Sequence, residues 1–134
     1  MPNVALTVET CCKVDVTVQV PGARAPFTGT AVLDTGFFHS TLGVGLALPS
    51  QRSPRGKYRP KGILKLTLGH GKARAFRFDP AVALLAIGGV TLGTPRPVGA
   101  IFTKGSVILL GFNVLKTGVL TIDGPGASGA FTFD

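Results

Sequence analysis

The chain has 134 residues, 45% of them hydrophobic and 15% charged, with 14 Lys and Arg against 6 Asp and Glu for a formal charge of +8. That length suits one domain spanning residues 1–134 and excludes two catalytic lobes in a single chain, while the low charge content argues against disorder. No apolar stretch approaches the roughly 20 residues of a membrane helix, and Met1-Pro2-Asn3 opens no signal peptide, so a soluble, cytoplasmic protein is expected.

In chain order, short apolar runs are punctuated by 19 Gly and 10 Pro, which predicts an all-β protein with many turns. Val4 to Val8 and Val14 to Val20 alternate as half-buried strands do, with Val14, Val16, Val18 and Val20 on one face and Asp15, Thr17 and Gln19 on the other. Cys11 and Cys12 are adjacent, so an ordinary bridge between them would be strained, and two free thiols are expected. Pro21-Gly22 ends the second strand, and Phe27 to Leu33 forms the strand that delivers Asp34. Ser40 to Leu48 reads as a further, glycine-rich strand leading to Pro49. The basic segment that follows holds Arg52, Arg55, Lys57, Arg59 and Lys61, and reads as a solvated loop. Only Tyr58 offers an interleaved stacking surface there, which argues against nucleic acid as the partner.

Ile63 to Leu68 and Ala73 to Phe78 flank the tip Gly69-His70-Gly71 and predict a hairpin. A second hairpin is predicted around Gly88-Gly89, between Val82 to Ile87 and Val90 to Leu92. Pro95 and Pro97 should interrupt the pattern near an edge or loop, with Val98 to Phe102 and Ser106 to Leu110 as the next strands. Phe112 to Lys116 suits one helical turn, stopped by Thr117-Gly118, and Val119 to Ile122 with Ala130 to Phe133 forms a closing hairpin. Asp79 before Pro80 reads as a turn acid and Asp123 before Gly124 as a strand end. Phe76, Phe78, Phe102, Phe112, Phe131 and Phe133 are expected in the core or at an interface between copies. His39 and His70 stand apart from any Cys or Glu at ligand spacing, so neither a metal nor a cofactor is expected.

Asp34-Thr35-Gly36 carries the chemistry. An acid on a tight turn after a buried strand can hold a water for peptide hydrolysis, provided a second carboxyl group shares the site and the two divide one proton. The tripeptide occurs once, so either a second chain supplies the partner acid or the chemistry is absent.

Three segments in order resemble the retropepsin-like (retroviral-type) aspartic protease family. They are Ala31-Val32-Leu33-Asp34-Thr35-Gly36, the hairpin tipped by Gly69-His70-Gly71, and Val107-Ile108-Leu109-Leu110-Gly111-Phe112-Asn113-Val114-Leu115. Asp34-Thr35-Gly36-Phe37 is similar to a bacterial and archaeal branch of it. The resemblance spans Val14 to Phe133 and implies a closed all-β barrel with one flap hairpin and a short helix near residues 112–116. It implies an aspartic endopeptidase working as a homodimer on peptide or protein substrates, with Asp34 as the catalytic acid. Thr35 would brace the twofold axis, Gly36 would contact substrate through its backbone, and Gly111 would pack beneath the acid loop. Gly69, His70 and Gly71 would be the flap tip over the substrate. The Phe37-Phe38 pair motivates a second reading, a dimeric peptide-binding module of the same fold without catalysis, and the +8 charge a third, a basic nucleic-acid-associated module.

Overall fold

A computed structural model of the chain describes residues 2–22, 25–37, 43–49, 62–67 and 71–133. Ten strands and one helical turn make up the described elements. They are β1 (Asn3–Val8), β2 (Cys12–Gln19), β3 (Phe27–Asp34), β4 (Val44–Pro49), β5 (Gly62–Thr67), β6 (Ala73–Ile87), β7 (Val90–Thr103), β8 (Ile108–Gly111), α1 (Phe112–Leu115), β9 (Gly118–Asp123) and β10 (Ser128–Phe133). No helix among them is long and apolar enough to cross a membrane.

The strands β2, β6, β7, β4, β8 and β3 follow one another around a closed barrel, because β2 pairs with both β3 and β6. Outside the barrel, β5 pairs only with β6 among the described residues, and β1, β10 and β9 extend the sheet from β2. The alternation in β2 sets the inside: Val14, Val16, Val18 and Val20 are buried, and Asp15 between them is exposed. Around them the core closes with Leu46 and Leu48 from β4, Leu84 and Ile87 from β6, Leu110 from β8, and Phe131 and Phe133 from β10. Each fully buried side chain of this kind contributes about 1.5–3 kcal/mol relative to exposure.

β4 is buried along its whole length, which explains its continuous apolar run. Leu46 and Leu48 face the barrel core, whereas Val44 and Ala47 join a smaller outer core with Leu64, Phe78 and Ile101. Phe37, Leu66, Phe76 and Leu109 pack against that outer core. Phe78, Phe102, Phe131 and Phe133 are buried, as expected, while Phe112 stays 42% exposed.

The hairpin at Gly88-Gly89 forms as predicted, with φ of 60° and 81° at the two glycines, the left-handed pair that a two-residue turn between twisted strands requires. The helical turn and the closing hairpin also lie where expected, and Asp123 Oδ1 accepts from the Gly126 N–H, 3.0 Å away, at the end of β9. Cys11 and Cys12 are free thiols.

Two expected interruptions are absent. β6 runs through Asp79-Pro80 without reversing, because the Asp79 carboxylate accepts from the Ala81 N–H at 3.0 Å and a bulge between Asp79 and Val82 absorbs the irregularity. β7 runs through Pro95 and Pro97, so Val98 to Phe102 is its second half and not a separate strand. β4 pairs with β7 only from Gly99 to Thr103, leaving one side of the proline-bearing half without a strand partner among the described residues, where a missing N–H costs no ladder bond. The basic segment from Arg52 to Lys61, Phe38 with His39, and the tip residues Gly69 and His70 lie outside the described residues.

Candidate active site

Asp34 is the last residue of β3, and β3 lies parallel to β8 in a register that sets Asp34 beside Gly111. The chain then turns sharply. The Gly36 N–H donates to Asp34 Oδ1 at 3.0 Å, and the Phe37 N–H donates to the Asp34 carbonyl at 3.2 Å. The side chain thus braces its own turn, as short acidic side chains do. Asp34 is half-buried, with Thr35 and Gly36 exposed beside it.

The late signature segment holds this loop from beneath. The Phe112 N–H, at the start of α1, donates to the Phe37 carbonyl at 2.9 Å, and Asn113 Nδ2 donates to the Val44 carbonyl at 2.8 Å, tying α1 to β4. Gly111 has φ −92°, a conformation open to any residue, so its backbone does not demand glycine. Space does: a Cβ there would stand 2.5 Å from the Phe37 carbonyl oxygen and 2.7 Å from the Phe37 ring. Two segments far apart in sequence, each ending an apolar run, therefore meet backbone to backbone.

The flap-like hairpin is β5 with the first half of β6. Its inner face carries Leu64 and Phe78 into the outer core, with Leu66 and Phe76 packed against it. Phe37 joins the same core from the acid loop. Sequence reasoning gave Phe37 no place in the core. Its signal was a large apolar residue directly after an exposed turn, where solvent would otherwise be its neighbour. Gly71, at the foot of the returning strand, is exposed with φ +83°. Gly36 and Gly111 are thus brought to Asp34, and Gly71 lies on the flap-like hairpin.

The other described aspartates are engaged locally. Asp15 accepts from the Thr30 hydroxyl at 2.8 Å across β2 and β3, Asp79 from Ala81, and Asp123 from Gly126.

No family model and no curated protein matches the chain. Among solved structures, the crystal structure of a retropepsin-like aspartic protease from Rickettsia conorii superposes with a TM-score of 0.59, covering 98% of this chain and 91% of that one. The fold is retropepsin-like. Sequence identity over the match is 11%, so the likeness is one of architecture. The end of β3, the β5–β6 hairpin and α1 follow one another in the chain order expected from the sequence for the acid-bearing turn, the hairpin and the short helix.

Proposed function

We propose that the chain is one half of a homodimeric aspartic endopeptidase, in which Asp34 from each copy contributes one carboxyl group. The observation that carries this reading is the clamped acid turn: an accessible Asp34 on a loop held by its own hydrogen bonds and by the Gly111–Phe112 segment, in a retropepsin-like fold. Placement of that quality matters because misplacing a reacting group by about 1 Å costs on the order of a hundredfold in rate.

In this reading a water lies between the two carboxyl groups, one ionised and one protonated. The carboxylate takes a proton as the water oxygen bonds to the scissile carbonyl carbon, and the carboxylic acid gives its proton to the carbonyl oxygen. Collapse of the resulting diol breaks the C–N bond, and a proton passes to the leaving amine. Two carboxyl groups so close cannot both ionise cheaply, which lets one serve as base while the other serves as acid. Thr35 braces the two loops across the twofold axis. Gly36 contacts the substrate through its backbone, and Gly69, His70 and Gly71 cover it. The substrate lies as an extended strand beneath the flaps, held in part by backbone hydrogen bonds.

The edge strand β9 suits a second copy. Among the described residues it pairs with β10 on one side only, and it leaves Val119 61% and Ile122 51% exposed and carries no Lys, Arg or Pro to block strand addition.

A mixed peptide library incubated with wild type and with Asp34→Asn, from acidic to neutral pH, tests the proposal. Cleavage by the wild type and its loss in the variant are expected. Cleavage that survives in Asp34→Asn removes the assignment, and a well-formed dimer that cuts nothing leaves the fold as a peptide-binding module.

A further inference from the structure

The flap-like hairpin carries a charge pattern that the hydrolytic chemistry does not use. β5 and β6 pair without a register break from Gly62 opposite Phe78 to Thr67 opposite Ala73, so the even-numbered residues share one face. Burial confirms which face is inner: Leu64 and Phe78 are buried and Leu66 and Phe76 half-buried, whereas Ile63, Lys65, Thr67, Ala73, Ala75 and Arg77 are all exposed. Arg74 belongs to the inner face. It stands opposite Leu66, one step nearer the tip than Phe76, and it is exposed.

Its guanidinium carbon lies 5.4 Å from the centre of the Phe76 ring. A cation over an aromatic face gains a modest attraction and loses rotamer freedom in advance, while the guanidinium edge keeps its N–H donors for another group. Phe76 packs against the same outer core as Phe37, the residue that ends the acid turn. Arg74 therefore lies on the hairpin face that joins this shared core, one step nearer the tip, the face that an enclosed peptide would meet in the peptidase reading. The other cations of the two strands, Lys65 and Arg77, point to the outer face.

We infer that Arg74 is a specificity-determining residue that pairs with an acidic side chain of the bound peptide, so that the substrates are extended peptides bearing Asp or Glu where they pass under the flap. This rests on the peptidase reading above. A guanidinium and a carboxylate meet through two parallel N–H···O bonds, and an amide of the same shape cannot supply the charge. The outer-face cations raise the local concentration of any acidic peptide, an effect that salt screens, whereas the Arg74 contact selects one position along the peptide.

The test uses the full chain and a set of fluorescent peptides in which Glu or Gln is scanned through each position of one neutral, extended sequence. Binding is measured by anisotropy on Asp34→Asn, Asp34→Asn/Arg74→Gln and Asp34→Asn/Arg74→Lys, and cleavage of the same peptides on wild type and Arg74→Gln. At one position Glu should bind about tenfold to a hundredfold tighter than Gln. Arg74→Gln should abolish that preference, Arg74→Lys should retain part of it, and in cleavage it should appear in KM more than in kcat. An absent preference, or one that survives in Arg74→Gln, overturns the inference. Cleavage without charge preference would leave the peptidase reading standing and this one refuted. Charge-selective binding lost in Arg74→Gln, with no cleavage by the wild type, would do the reverse. Neither binding nor cleavage refutes both.

Discussion

Replacing Gly111 by Ala tests the clamp beneath the acid turn. The added Cβ would lie 2.5 Å from the Phe37 carbonyl oxygen, 2.7 Å from the Phe37 ring and 3.4 Å from the Gly45 carbonyl oxygen. Two of those three neighbours are backbone, so no side-chain rotation relieves the overlap. Phe37 must move by most of an ångström, and the 2.9 Å bond from the Phe112 N–H goes with it. Overpacking of this kind costs about 1–3 kcal/mol and the lost hydrogen bond about 0.5–1.5 kcal/mol, so destabilisation of about 2–4 kcal/mol is expected. In a domain of this size that lowers the unfolding midpoint by roughly 6–15 °C. The assay is thermal unfolding at fixed protein concentration, since any self-association raises the apparent midpoint. Gly93→Ala is the control, because a Cβ at that position would meet nothing within 4 Å, and it should stay within about 0.5 kcal/mol of wild type. If Gly111→Ala stays within the same margin, the segment does not abut the loop and the clamp is wrong. If the peptidase reading holds, kcat in Gly111→Ala should fall by on the order of a hundredfold, as displacement of a reacting group by about 1 Å demands.

Phe37→Ala should cost about 1–3 kcal/mol in chemical denaturation, less than a fully buried Phe because the ring is half-exposed, and should loosen the acid loop and the hairpin root together. Ile122→Lys on the open edge of β9 should leave the circular dichroism spectrum unchanged while weakening self-association in sedimentation velocity by about tenfold or more. Unchanged association would place the interface elsewhere.

Much of this architecture was legible in local pattern. The valines of β2 announce their buried face by strict alternation, and Gly88-Gly89 announces its turn by supplying two left-handed residues. The acid turn and the late Leu109-Leu110-Gly111 run were each recognisable, and the family resemblance they carry implied that they meet. What stayed hidden depends on partners that no local window contains. Prolines at 95 and 97 look like breaks until it is clear that one side of that half of β7 lacks a strand partner among the described residues. Asp79-Pro80 looks like a turn until the carboxylate is seen to satisfy the Ala81 N–H inside a bulged strand. Phe37 reads as an oddity after a catalytic-type tripeptide, because the outer core that receives it is assembled from β4, β5, β6, β7 and β8. Gly111 is the same lesson in reverse, an ordinary conformation whose glycine is required by a neighbour more than seventy positions earlier in the chain.

The parallel pairing of β3 with β8 also has a kinetic side. Hairpins such as β6–β7 and β9–β10 join neighbours in sequence and can form early, at little cost in loop closure. The bonds that clamp the acid loop from β8 and α1 cannot, for they wait on Ile108 to Asn113, after most of the chain has been ordered. During synthesis the acid turn stays unclamped until the last quarter of the sequence emerges, so the support beneath Asp34 would be among the final things this polypeptide acquires.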